Sequence, residues 1–237
     1  MRAPAVAFED LQAPESASPP EPRSELGDLR FRALMSEQDW ASLPPAIRRR
    51  FSRRLAGGQT IVYAGEILES WMSRAGWWLA QAARLIGGPL PLMCDAQNRS
   101  AGAPRIHPPS VVTVTEDMAT GGQIWTRLYA RRKGFPQVIH SSKRFSGPTG
   151  LEEYVGRGVG MTLTVYAHEG ALIFRSQRYF LQLFGRRLFL PARLAPGVLY
   201  VTHAELPDGK FSFALQMFHP RFGLLIRQMA MFKEIET

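Results

Sequence analysis

From Val111 almost to the end of the chain, apolar and polar residues alternate with a period of two. This period is typical of β-strands, whose successive side chains point to opposite faces of a sheet. Turn sequences rich in glycine, proline and histidine interrupt the alternation at residues 120–122, 168–170, 207–209 and 219–223. Because tight turns between alternating segments are typical of hairpins, the pattern predicts antiparallel strands.

The alternation and one earlier segment predict ten strands. They cover residues 59–69, 110–117, 122–131, 137–145, 153–167, 171–181, 186–190, 198–206, 211–219 and 223–233. So many consecutive strands are expected to curl, because curling buries one face of the sheet and limits its exposed edges. We therefore predict a β-dominated α+β fold whose large curved antiparallel sheet forms a half-barrel or a barrel-like structure.

Two or three helices are predicted before the main run of strands, packed on the sheet. One lies around residues 29–35, and an arginine-rich helix follows Pro44 and Pro45. A third begins after Ser73, a favourable N-cap, and ends near residue 86. Trp78 of this helix shares one side with Ala82, Leu85 and Ile86. Such tryptophans can dock at a membrane interface, but we expect them to pack on the sheet.

The first 26 residues contain five prolines and no apolar periodicity, which predicts a disordered leader. Residues 27–237 are predicted to form a single β-rich domain. Cys94 is the only cysteine, so the chain has no internal disulfide and no multi-cysteine zinc site. Neither a secretory signal nor a transmembrane segment is recognisable, and we expect a cytoplasmic protein.

A formal net charge of +9 raises the question of an anionic partner. The densest basic run contains Arg48, Arg49, Arg50, Arg53 and Arg54. Apolar residues recur every fourth position within this run, so we interpret the arginines as the solvated side of an amphipathic helix. Binding to an anionic membrane or to nucleic acid is the alternative. Nucleic acid is disfavoured because no recognition motif accompanies the run.

Several motifs together resemble the bacterial family catalogued as domain of unknown function 4166. The resemblance covers about residues 29–233. Its motifs are Trp125-Thr126-Arg127, the residues of 190–196, those of 205–213, His219-Pro220, Gly223 and Arg227, with Trp40 to Pro44 and the run near Leu90. Where the family has Tyr-Arg-Gly-Trp near its end, this chain has Gln228-Met229-Ala230-Met231. Members occur alone or fused to dehydrogenase-like domains, which implies an accessory role beside a reductase-like partner and supplies no catalytic residues.

Motifs of known chemistry are scarce. The glycines of 156–160 are followed by alternating residues rather than a helix, which argues against a nucleotide-binding loop. His203 and Glu205 share one face of a strand and are the weak catalytic candidates for an isomerase or hydrolase. The histidines show no metal-ligand spacing, so neither a metal nor a cofactor is predicted. A noncatalytic protein is favoured over an enzyme.

One parity of the strand residues combines aromatic rings with arginines. We predict that these side chains line a concave site for an amphiphilic anionic small molecule, such as a fatty acid. The predicted ligand-binding residues are Trp125, Arg127, Tyr166, Arg175, Tyr179 and Arg227. The alternative is an ordinary solvent face, on which arginine stems and tyrosines cover the sheet. The leading hypothesis is thus a ligand-binding accessory module.

Overall fold

A computed structural model describes residues 28–91, 107–131 and 134–235. The predicted disordered leader, residues 1–26, lies outside the described residues. Eleven strands lie within these ranges. They are β1 Thr60–Met72, β2 Pro109–Asp117, β3 Gly122–Tyr129, β4 Gln137–Arg144, β5 Glu152–Tyr154, β6 Val159–His168, β7 Ala171–Leu183, β8 Arg186–Phe189, β9 Val198–Glu205, β10 Lys210–His219 and β11 Gly223–Ile235.

Ten of these strands close into an antiparallel barrel. Their order is β6-β5-β4-β3-β2-β1-β11-β10-β9-β7, and β7 pairs back on β6. Two of the pairings join strands that do not follow each other in the chain: β1 pairs with β11, and β7 pairs with β9 past the intervening β8. Strand β8 extends from the wall as a hairpin with β7. The predicted curved, barrel-like antiparallel sheet is therefore confirmed, and it closes.

The predicted strand 153–167 is two strands, because the chain turns between Tyr154 and Val159. Gly158 adopts a positive φ of 73°, which favours glycine in this turn. The turn also packs against the chain that follows the helix predicted after Ser73. A Cβ on Gly156 would come within 2.6 Å of the Ile86 carbonyl oxygen, so the close approach requires a residue without a side chain.

Three short helices precede the barrel, and a fourth lies between β1 and β2. They are α1 Arg30–Ala33, α2 Glu37–Ser42, α3 Pro45–Ser52 and α4 Arg74–Leu85. Helix α2 was not predicted. Its signal is the N-cap Ser36, whose hydroxyl accepts a hydrogen bond from the Asp39 backbone N–H at 3.0 Å.

Helices α1 and α3 cover one end of the barrel with aromatic side chains. Phe31 and Phe51 are buried with ring centroids 5.3 Å apart. Both also contact Phe174, an inward-facing residue of β7. Strand β9 runs toward this end and finishes there at Glu205, close to Arg50 of α3. We call it the α3 end.

Helix α4 packs at the opposite end of the barrel, which we call the α4 end. The Ser73 hydroxyl caps the helix by accepting from the Gly76 N–H at 3.0 Å. A Cβ on Gly76 would lie 2.2 Å from the Leu225 carbonyl oxygen, so the helix approaches β11 closely. The expectation that the tryptophans of α4 pack on the sheet is wrong: Trp77 and Trp78 are 47% and 69% exposed. Small residues take the packed face instead.

Candidate functional site

A cavity of about 450 Å³ lies inside the barrel at the α4 end. Its walls are mostly apolar and come from the barrel strands, from α4 and from the segment that links β8 to β9. The apolar residues include Leu79, Ile86, Leu90, Ile139, Val155, Met161, Leu181, Leu190, Leu194, Leu199, Val201, Leu215 and Met217. Ile86 and Leu194 are also exposed, so the cavity reaches the protein surface.

Besides Tyr129 and His140, four polar residues interrupt this apolar lining, one on each of β3, β4, β5 and β7. They are Arg127, Ser141, Glu153 and Tyr179. One guanidinium nitrogen of Arg127, Nη1, donates to the Ser141 hydroxyl at 3.1 Å. Its Nη2 lies 3.9 Å from the Glu153 carboxylate. We call these four residues the polar floor.

A buried lysine adds a second positive charge beside the polar floor. Lys143 is 2% exposed, and its Nζ lies 3.2 Å from Oε1 of Glu153. Burial alone would raise the pKa of Glu153, but Lys143 and Arg127 together lower it below its ordinary value. Burial lowers the pKa of Lys143, and the contact with Glu153 opposes this shift. When all three groups are ionised, two cations face one carboxylate, which favours an additional anion.

Two hydrogen-bond donors of the polar floor remain available. The Nε of Arg127 is buried and has no hydrogen-bond partner among the described residues. The Tyr179 hydroxyl lies close enough to the Ser176 hydroxyl to accept a hydrogen bond from it, which leaves the phenol's own proton for a ligand. Burial raises the pKa of Tyr179 to about 12, against a smaller lowering by the nearby Ser176 hydroxyl. The phenol therefore keeps its proton at neutral pH and can donate it. Unpartnered buried donors are uncommon, because each costs about 1–3 kcal/mol.

The structure brings three of the six predicted ligand-binding residues into the barrel. Arg127 and Tyr179 belong to the polar floor. Trp125 lies deeper, nearer the α3 end, where Nζ of Lys143 is 4.9 Å from its ring and its Nε1 donates to Gln123. Trp125 therefore faces the same interior without lining the cavity.

Tyr166, Arg175 and Arg227 lie on the outer wall instead. Tyr166 and Arg227 each follow an inward-facing core residue, and Arg227 pairs with Glu69 of the neighbouring strand at 2.6 Å. In β7 the pairing with β6 shifts by one residue between Ser176 and Arg178. This bulge reverses the parity, so Tyr179 points inward although Arg175, of the same parity, points outward. Arg127 therefore lines the cavity, whereas Arg175 and Arg227 lie outside it.

His203 and Glu205, the weak catalytic candidates, face different surroundings. His203 is 2% exposed, and its ring centroid lies 5.1 Å from that of Phe51 and 5.2 Å from that of Phe213. Burial, with the nearby cations Arg50, Lys143 and Arg127, lowers its pKa well below the ordinary value. Glu205 instead lies 3.6 Å from Arg50 in an outer groove at the α3 end. The pair therefore does not meet in an open cavity.

The arginine-rich helix α3 contributes to that groove, which measures about 640 Å³. Arg50 covers the Phe211 ring at 3.8 Å, and Arg53 pairs with Glu234. Arg49 and Arg54 are exposed. Part of the basic run thus closes the α3 end of the barrel, and part is solvated.

Across residues 28–91, 107–131 and 134–235, no group of three or more His, Cys, Asp or Glu side chains could hold a metal ion. In the same ranges, every helix is too short or too polar to cross a membrane.

Comparison with known proteins gives a match to a family model described as a domain of unknown function, DUF4166, over residues 43–232. The chain belongs to the DUF4166 family. The matched range begins just before α3 and ends in β11, so it includes the barrel and every residue of the polar floor. The resemblance noted in the sequence is confirmed. No curated protein matches this DUF4166 chain.

Sequence reasoning missed Lys143 and Glu153 in this DUF4166 barrel. Their signal is a charged residue at an inward position of a strand whose other inward residues are uncharged: Ile139 and Ser141 precede Lys143 at spacings of two. Glu153 was visible as half of an adjacent pair. Its neighbour Glu152 points outward and binds Arg187, as expected for consecutive residues of a strand.

Proposed function

We propose that this DUF4166 protein binds an amphiphilic carboxylate, with the hydrocarbon part in the apolar cavity and the carboxylate at the polar floor. One observation carries the proposal. Two buried donors, Nε of Arg127, which has no partner among the described residues, and the hydroxyl of Tyr179, which lies near that of Ser176, line a cavity whose other walls are mostly apolar. A carboxylate offers acceptors to both donors and neutralises the excess positive charge.

The alternatives among small ligands fit less well. A purely apolar molecule would leave Nε of Arg127 without an acceptor, which costs free energy in a buried site. A sugar or nucleotide would bury many polar groups against leucine, valine and methionine side chains. The volume of about 450 Å³ lies within the usual range for small-molecule sites. A long-chain carboxylate offers acceptors to the buried donors, buries few polar groups against the apolar walls and is small enough for the cavity.

The experiment compares two probes that share a hydrocarbon chain: dodecanoate, which carries the charge, and 1-dodecanol, which does not. Binding is measured by isothermal titration calorimetry to the full-length protein. We expect Arg127→Gln to weaken dodecanoate binding about tenfold or more, since a charge-assisted hydrogen bond contributes about 1.5–3 kcal/mol. Dodecanol binding should change much less.

The matched control is Arg175→Gln, which removes an arginine of the outer wall and should leave the affinity for both probes unchanged. Tyr179→Phe removes a single hydroxyl and keeps the ring, so it tests the polar floor even if Arg127→Gln folds poorly. Wild-type protein that binds neither probe would refute the proposal. So would equal loss for both probes in Arg127→Gln.

A noncatalytic role beside a dehydrogenase or reductase in the cytoplasm extends the proposal. The resemblance to domains that occur fused to such enzymes supports the partner, and the single cysteine Cys94 is consistent with a reducing compartment. A tagged protein should retain such an enzyme when it is purified from its native cell. Retention of no oxidoreductase would remove this extension and leave the ligand site untouched.

A further inference from the structure

The outer face of α4 is apolar and basic at once. Arg74, Trp77, Trp78, Arg84 and Leu85 are all exposed, and Trp78 and Leu85 retain 69% and 83% of their accessible surface. The opposite face of the same helix lines the cavity. A 12-residue amphipathic helix ordinarily buries its large apolar residues, so exposed tryptophans on this outer face require an explanation.

Exposed apolar side chains continue from α4 around the place where the cavity reaches the surface. The Arg157 N–H donates to the Ile86 carbonyl at 2.9 Å, which joins the β5–β6 turn to the end of α4. The Gln182 N–H donates to Gly158, which joins the β7–β8 hairpin to that turn. Phe184 at the hairpin tip is fully exposed, and Leu194 of the cavity lining is 70% exposed.

We call this region the mouth surface. Its apolar members are Trp77, Trp78, Leu85, Phe184 and Leu194, and its basic members are Arg74, Arg84, Arg157, Arg186 and Arg193.

Charge on the mouth surface has one sign. Residues 73–91, 155–160, 181–188 and 190–197 contain no aspartate or glutamate. None of the five mouth arginines forms an ion pair with another described residue. The complementary partner is therefore anionic, and it must also accept tryptophan, leucine and phenylalanine side chains.

We propose that the mouth surface docks on an anionic phospholipid membrane. Tryptophan and leucine enter the boundary between headgroups and acyl chains, while the arginines contact lipid phosphates. Nucleic acid would satisfy the charges and leave the aliphatic residues without a partner. Docking would place the cavity opening against the bilayer, so that an amphiphile can pass between the two. This consequence rests on the proposed ligand site; the docking itself does not.

The test is co-sedimentation of full-length protein with vesicles of phosphatidylcholine alone or of phosphatidylcholine with phosphatidylglycerol. We expect binding to the anionic vesicles that weakens as salt rises. Trp77→Ala with Trp78→Ala should reduce it about tenfold. Arg74→Gln with Arg84→Gln should do the same while keeping both rings, since each arginine near an anionic surface contributes a several-fold gain.

The control variants remove exposed arginine and apolar side chains at the α3 end instead of at the mouth surface. Arg49→Gln with Arg54→Gln removes two exposed arginines there, and Met118→Ala removes a side chain that is 86% exposed. Both should bind vesicles like the wild type. Equal loss in the control and the mouth variants would overturn the proposal, as would absence of vesicle binding. If the wild type instead self-associates without binding vesicles, and the double tryptophan variant does not self-associate, the mouth surface is an interface with a second copy of the protein.

The two proposals fail separately. Dodecanoate affinity in vesicle-free buffer reports on the polar floor, and Arg127→Gln should lower it without changing vesicle binding. The double tryptophan variant should do the reverse. Vesicle binding without any dodecanoate binding would keep the docking surface and refute the ligand site.

Discussion

His203 is an ionisable group held where ionisation is unfavourable. It lies among the rings of Phe51, Trp125, Phe174 and Phe213, and its Nδ1 makes no hydrogen bond with the described residues. Burial and three nearby cations lower its pKa well below 6.5. The folded protein therefore keeps this imidazole neutral under conditions in which the unfolded chain would protonate it.

Because the unfolded state binds the extra proton, the free energy of unfolding should fall as pH decreases below about 6.5. The slope contributed by one group reaches about 1.4 kcal/mol per pH unit. We expect His203→Leu to lose this slope between pH 6.5 and 5. Urea unfolding at several pH values measures it. An unchanged pH dependence in the variant would show that His203 is not the group responsible.

Glu153 compensates two buried cations, so its neutralisation should be costly. Glu153→Gln leaves Lys143 and Arg127 without a carboxylate in the interior, and we expect it to lower the free energy of unfolding by about 3 kcal/mol or more. Glu169→Gln, at a side chain that is 85% exposed, should change it by less than about 0.5 kcal/mol. Chemical denaturation compares the two, and equal effects would contradict the assigned role.

The period-two alternation of the strands predicted which residues could form the site. It did not predict whether each residue lies on the inner or the outer face of the barrel. Arg127 and Tyr179, two of the predicted residues, both line the cavity. Arg175 was misplaced, because the bulge in β7 has no sequence signal strong enough to reveal the change of parity. The role of Glu153 could not be predicted from the sequence, because the prediction would require knowing which strand lies beside Lys143.

Among the elements, α4 was predicted from its N-cap and apolar spacing. Which face of the helix packs against the barrel was not predicted. Its packed side contains Gly76 and Ala80, whereas the large Trp78 faces outward. Hydrophobic periodicity assumes that the largest apolar residues are buried. Here a small-residue face permits close approach to β11, and the large residues of the same helix lie beside an exposed cavity opening.

This arrangement reverses the usual effect of a glycine-to-alanine change in a helix. Gly76→Ala would ordinarily stabilise a helix by about 1 kcal/mol. Its methyl group would instead meet the Leu225 backbone carbonyl, so we expect a lower melting temperature and a loss of about 2 kcal/mol. Differential scanning calorimetry measures the sign. A raised melting temperature would mean that α4 is not held against β11.

For the whole molecule, the sequence predicted curvature but left closure open, because β1 pairs with β11 far along the chain and β7 pairs with β9 past the intervening β8. Closure gives the barrel two different ends, one covered by α1 and α3 and one bordered by α4. Ligand binding should therefore affect the two ends unequally.

We expect dodecanoate to slow amide hydrogen exchange in α4 and in residues 190–197, which border the cavity, and to leave α3 unchanged. Hydrogen exchange with mass spectrometry of free and dodecanoate-saturated protein measures this difference. Protection concentrated in α3 instead would locate the probe in the groove beside Glu205 and Arg50 rather than at the polar floor.

The pairing of β1 with β11 also affects how the protein is made. The two strands meet from Val62 with Ile235 to Met72 with Ile226. On the ribosome, β1 emerges before β11, and about 150 further residues must be synthesised before this partner strand leaves the exit tunnel. At roughly 5–20 residues per second, this strand edge stays unpaired for some ten seconds or longer. A chaperone that shields exposed strand edges during translation should therefore raise the yield of folded protein.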